Sequence, residues 1–195
     1  MNSPHPEPSK TQDFTAAFFW KAAKSYSMMV LISAFICGFI HGNLAEIFRL
    51  PEASYRIATL QMFVVCLFLL TGLHFLFQEL FPSYAQHRNF LRKLLGESRW
   101  LDVLSLTVLA SLGEELLFRG VLQSYLGLSI TGLVVCILHV SPYGLLTAWS
   151  GYAFCFAFLQ GILFAYSHSL FPSWLLGILI HLHLYFQVNH DSPPS

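Results

Sequence analysis

Six runs of mostly apolar residues, at 14–40, 57–77, 100–125, 128–140, 145–166 and 170–188, occupy most of this 195-residue chain and leave it few ways to fold. A helix that crosses a bilayer needs about 20 mostly apolar residues, and five or six of these runs qualify. Within lipid every backbone amide and carbonyl must be paired inside the protein, so continuous apolar runs of this length predict helices. The fourth run is short. At ~1.5 Å per residue it reaches only ~20 Å, so it is expected to tilt, to begin deeper, or to stop midway where Ser141-Pro142-Tyr143-Gly144 interrupts it. The expected fold class is all-α: a polytopic transmembrane helix bundle of about six spans.

Composition excludes several alternatives. With 55% hydrophobic and 10% charged residues the chain lacks the polar surface of a soluble domain, and its surroundings are expected to be membrane lipids. Formal net charge is zero, which removes any electrostatic case for a nucleic-acid partner. Cys37, Cys66, Cys136 and Cys155 lie in apolar stretches without CxxC spacing and read as small core residues.

Residues 1–13 form a polar lead carrying Pro4, Pro6 and Pro8, expected to be disordered. Residues 14–190 form one expected membrane-embedded domain, with its motif core at 100–186. The first continuous apolar stretch begins only near Tyr26 and lacks a small-x-small cleavage pattern, so it is read as a retained span rather than a signal peptide. Residues 78–99 interleave Arg88, Arg92, Lys93 and Arg99 with Phe90, Leu91, Leu94 and Leu95. An amphipathic helix on the membrane surface and a plain loop both fit this segment. Lys10, Lys21 and Lys24, together with the basic residues of 78–99, place the N-terminus and that segment in the cytoplasm by the positive-inside rule.

The third run holds an anomaly. Glu114, Glu115 and Arg119 stand among twelve Leu, Val and Phe residues between Leu101 and Leu122. Each charge near a span centre costs about 2.5 to 3.5 kcal/mol, and each large apolar residue returns about 0.3 to 0.6, so the sums nearly cancel. Such charges are expected to face the bundle interior or a watery cavity. Glu115 and Arg119, four apart, share one face of a helix in the favourable acid-before-base order and are expected to pair. Glu114 is rotated about 100° from Glu115, which leaves it free to act as a general base whose proton affinity is raised by poor solvation and a neighbouring carboxylate.

Nine histidines are present. His5, His87 and His190 fall in polar segments, and His41 and His74 fall near span ends where an imidazole is expected to reach water. His139, closing the fourth run, and His181, within the sixth, are the informative ones. Glu114, Glu115, His139 and His181 in one cavity could activate a water or hold a divalent metal, with Glu114, His139 and His181 as the metal set. Ligand types alone leave both options open. No HExxH or GxSxG occurs, and Ser105 and Ser111 in the third run have no distinctive context.

The run Glu114-Glu115-Leu116-Leu117-Phe118-Arg119 resembles the EExxxR motif of the CAAX-processing and bacteriocin-processing proteases (CPBP/Abi family), and Arg119-Gly120-Val121-Leu122-Gln123 continues in the manner of that family. His139 resembles the histidine of its second motif, usually FxxxH and here Val135-xxx-His139. His181 resembles that of its third, usually HxxxN, with Tyr185 standing where Asn is common. The resemblance spans residues 101–185. It implies a glutamate-dependent intramembrane endopeptidase in which Glu114 and His139 deprotonate water and His181 stabilises the oxyanion. Arg119 and Tyr185 would support them, without a cofactor, or alternatively with zinc. The expected substrate is a membrane-associated peptide or protein. A short chain without added extensions favours a prokaryotic inner-membrane enzyme that processes bacteriocin or immunity peptides or sorted C-terminal tails. A non-catalytic pseudoprotease scaffold and a small proton-coupled transporter relaying through Glu114 and Glu115 are the alternatives.

Overall fold

The computed structural model describes residues 10–95, 98–139, 141–144 and 146–190. They form α1 (Lys10–His41), α2 (Leu44–Ile47), α3 (Arg56–Leu80), α4 (Pro82–Leu95), α5 (Trp100–Glu114), a π-helical segment (Glu115–Leu122), α6 (Gln123–Leu138), α7 (Ala148–Ser167) and α8 (Leu170–His190). Among the described residues, five apolar stretches are long enough to cross a membrane: Ala17–His41, Arg56–Leu80, Trp100–Leu138, Ala148–Ser167 and Leu170–Val188. The polytopic all-α bundle is as the apolar runs predict. The expected disordered lead falls largely on residues outside those described, and α1 has already begun at Lys10.

The third and fourth runs are joined in the 39-residue stretch Trp100–Leu138, broken at Gly127. There φ is 74° and ψ 173°, a conformation that glycine adopts without steric penalty. The short remainder of α6 ends at Leu138, and a tight turn between Ser141 and Gly144, bonded at 3.2 and 3.0 Å, sends the chain back into α7. His168, in the left-handed region at φ 51°, closes α7 and leads straight into α8.

α7 and α8 pack together, α3 lies against both, α6 lies along α7, and α1 lies along α5 and the π segment. Cys66 and Leu70 of α3 meet Phe156 and Leu163 of α7 and Leu176 and Ile180 of α8 in one apolar core. Phe35 and Phe39 of α1 and Phe68 of α3 stay exposed on the outer face, the arrangement expected where the solvent is hydrocarbon. Residues 82–95 resolve the two readings of the basic segment: they are a helix, and α4 folds over the bundle against α3, α7 and α8. Its Tyr84 and His87 are buried.

The crossing of α1 over the π segment is close. A Cβ on Gly120 would collide with Cys37 Sγ, and the Cys37 thiol donates to the Leu116 carbonyl at 3.3 Å. The reading of Cys37 as a small core residue therefore omits its hydrogen bond. All four cysteines are free. Gly120→Ala is expected to lower stability by about 1 to 3 kcal/mol, as overpacking does. Adding Cys37→Ala should recover part of that loss, as read from thermal midpoints in detergent. Equal midpoints for wild type and Gly120→Ala would show that α1 is not seated there.

Candidate active site

Glu114, at the end of α5, His139, just past α6, and His181 and Tyr185, one helical turn apart on α8, line a single cavity of about 250 Å³. Each arrives from a different constraint. Glu114 follows Ala110 and Thr107 on the face of α5 that lines the cavity. His139 leaves helical geometry, with φ −85° and ψ 56°, and its Nδ1 lies 2.9 Å from the Val135 carbonyl. Ser150 at the start of α7 donates to the His139 carbonyl at 3.2 Å, which fixes the turn. Glu114 and His139 both lie within electrostatic reach of His181. The remaining wall is apolar and includes Phe18 and Phe19 of α1, Leu91 and Leu94 of α4 and Val188 of α8.

Glu115 and Arg119 do not line this cavity. They are 1% and 2% exposed and point into the packing of α7 and α8, with Arg119 Nη2 3.7 Å from Glu115 Oε1. That distance makes an ion pair longer than a hydrogen bond. The guanidinium donates instead to the Ala157 carbonyl at 3.1 Å and to Gln160 Oε1 at 2.8 Å, and Gln160 Nε2 donates to the Ser173 carbonyl at 3.1 Å. The sequence reading missed Gln160, although a lone amide in the apolar run of α7 was a signal that something polar faces it. The helix from Glu115 is wound as a π-helix, not the α-helix that the four-residue spacing assumed. Such wide turns recur at functional sites. Its Leu116 and Gly120 carbonyls meet Cys37 and a His41 ring nitrogen, the latter at 2.9 Å.

Tyr185 faces the cavity with its ring, but its hydroxyl donates to the Ser98 carbonyl at 3.2 Å. Tyr26 of α1 also lines the cavity, within electrostatic reach of Glu114; sequence reasoning passed over it as one aromatic in an apolar run. Ser111 lies 3.1 Å from His181 Nδ1, a context that sequence alone did not reveal. Among the described residues no group of three His, Cys, Asp or Glu side chains comes close enough together to hold a metal ion.

Two histidines read as water-reaching or polar are buried. His74 is 1% exposed and bonds through Nδ1 to the Tyr84 hydroxyl at 2.7 Å and through Nε2 to Gln187. Spacing put His74 near a span end, but α4 folds back over it and removes it from water. His87 stacks on Trp149 with ring centroids 4.1 Å apart, and its Nδ1 lies 3.2 Å from Ser141 Oγ. Since Trp149 lines the cavity, this contact ties α4 to the cavity wall.

Burial, reinforced by the nearby His139, pushes the His87 imidazole down from 6.5 to about 4. A histidine whose folded value is depressed contributes its stability in full above the unfolded value and loses it as pH falls through 6.5 toward 4. Thermal midpoints should therefore drop between pH 7 and pH 4 by more in wild type than in His87→Phe, which keeps the stack but does not titrate. Equal drops in the two chains would remove His87 from the acid response.

Residues 96–185 match the family model described as type II CAAX prenyl endopeptidase Rce1-like. The chain is 32% identical over 94 residues to a curated Bacillus subtilis (strain 168) protein, "Uncharacterized protein YpbD", covering 47% of this chain and 48% of that protein. It thus spans about half the length of the curated relative it matches. No solved structure matches.

Proposed function

We propose that this chain hydrolyses a peptide bond in a membrane-associated substrate, using Glu114 as general base, a reading supported by the match of residues 96–185 to the Rce1-like type II CAAX prenyl endopeptidase family model. The observation that carries the reading is one cavity that joins Glu114, His139 and His181 to apolar walls. In the proposed reaction, water held between Glu114 and His139 gives its proton to the Glu114 carboxylate as its oxygen attacks the scissile carbonyl carbon. The carbonyl oxygen becomes an oxyanion that accepts an N–H from His181. The C–N bond then breaks, and Glu114 returns the proton to the leaving amine. Glu115 and Arg119 hold α5, α7 and α8 in register behind the cavity.

Arg119 is committed to the α7 carbonyl and amide, which supports a structural part for the pair rather than a proton relay. Water activation needs only hydrogen-bond reach, about 2.6 to 3.2 Å, whereas zinc would need Glu114, His139 and His181 within about 2.0 to 2.2 Å of one ion. We favour the metal-free form. The Phe18, Phe19, Leu91 and Leu94 walls suit a substrate with an apolar tail. With a bacterial relative at 32% identity, the reading favoured is a prokaryotic inner-membrane enzyme, with its N-terminus cytoplasmic, that trims peptides or C-terminal tails.

The test is purified chain in nanodiscs given one peptide with an apolar membrane anchor and the same peptide without it, the products read by mass spectrometry. Cleavage at one bond of the anchored peptide only is expected. Cleavage of the two at equal rates would contradict the tail-directed reading, and cleavage of neither would contradict the enzyme assignment for that substrate class.

A further inference from the structure

The Ser111 hydroxyl joins α5 to α8 through His181 Nδ1 at 3.1 Å, one helical turn before Glu114. Ser111 is 2% exposed and does not line the cavity, so it does not present a nucleophile there. Serine in a helix commonly turns its hydroxyl onto the carbonyl four residues back, as Ser105 does onto Leu101 at 2.8 Å. Ser111 reaches across to the next helix instead. Gly177 makes the approach possible: a Cβ at that position would meet Ser111 Oγ at 3.1 Å and Gln160 Nε2 at 2.9 Å.

A hydroxyl and an imidazole nitrogen can share a hydrogen bond in two ways. With Nδ1 bare, the hydroxyl donates to it and the ring proton sits on Nε2. With Nδ1 protonated, the hydroxyl accepts, and its own hydrogen is left buried without an acceptor, the unfavourable arrangement. Only the first form satisfies both groups.

We propose that Ser111 is a positioning residue that holds His181 in the Nε2–H tautomer, presenting that proton to the cavity as a hydrogen-bond donor. His139 is held the opposite way. Its Nδ1 faces the Val135 carbonyl at 2.9 Å, which only accepts, so Nδ1 carries the hydrogen and Nε2 keeps its lone pair. The cavity thus receives one imidazole as acceptor and one as donor, which is the division that water activation opposite an oxyanion requires. The tautomer follows from these contacts, whereas its catalytic consequence rests on the hydrolytic reading above.

The experiment records ring-nitrogen NMR signals of the full chain, nitrogen-15-labelled at histidine, in lipid nanodiscs. His181 is assigned by its loss in His181→Asn. Wild type should show a single neutral His181 tautomer with Nε2 protonated and Nδ1 bare. Ser111→Ala should shift the Nδ1 signal and admit the second tautomer. In that variant kcat for an anchored peptide should fall by about 10- to 100-fold, the scale of loss found when a metal-bound histidine is deprived of its outer hydrogen-bond partner, with KM unchanged. A protonated Nδ1 in wild type overturns the proposal, even if Ser111→Ala fails to fold. Unchanged His181 signals in Ser111→Ala, or an unchanged kcat despite altered signals, overturn it too. The tautomer is read without substrate, so a chain that cleaves nothing removes the hydrolytic reading while the spectrum still decides the assignment.

Discussion

Glu114→Gln is expected to accumulate in the membrane like wild type and to lose peptide cleavage by at least about 100-fold, the lower end of what a positioned acid–base group contributes. The separation of the two effects follows from geometry. Glu114 lines the cavity beside His139 and His181, outside the Glu115, Arg119 and Gln160 contacts that bind α7 to the π segment. Removing its charge therefore takes away a proton acceptor without unpairing a buried cation. Yield, thermal midpoint and kcat measured on the same preparation check both halves. Wild-type cleavage by Glu114→Gln would take Glu114 out of the chemistry, and loss of folded protein would show that it supports the bundle as well.

Glu115→Ala should do the reverse. Arg119 is 2% exposed, and deleting its carboxylate partner leaves an uncompensated buried charge, a change that costs about 3 to 5 kcal/mol. That approaches the whole stability of many domains, so little folded protein should remain. Replacing both partners, as Glu115→Ala with Arg119→Met, should recover much of the loss, because a buried pair exchanged for apolar residues is often close to neutral. Gln160 and the Ala157 carbonyl would lose their donor, so recovery is expected to be incomplete. A double variant as unstable as Glu115→Ala alone would assign the damage to lost packing rather than to a lone charge.

The spans were legible because lipid imposes one rule on all of them, and that rule needs only a count of apolar residues along the chain. The turn at Ser141–Gly144 was legible as a local signal, and the apolar runs divide between 125 and 128, where the chain breaks at Gly127. Residues 82–95 showed their basic and apolar faces in sequence, but not that Tyr84 and His87 would be buried under α3 and α7, since burial depends on which helices a surface meets. His74 was misplaced for that reason. Glu114, His139 and His181 were singled out as polar groups in apolar runs, and they do share a cavity. Ser111 and Gln160 went unrecognised because their partners lie on other helices, 70 residues away in the case of Ser111 and His181. The π-helical winding after Glu114 was hidden as well. α1 lays Cys37 and His41 against its carbonyls, and no pattern within residues 115–122 reports that contact.

The most direct test of the proposed glutamate–histidine water site is cleavage of an anchored peptide by wild-type chain in nanodiscs after exhaustive chelation, with metal content determined on the sample assayed. The account predicts undiminished cleavage without bound metal, and none by Glu114→Gln in parallel. Cleavage that disappears on chelation and returns with zinc would contradict it, and would recast Glu114, His139 and His181 as ligands.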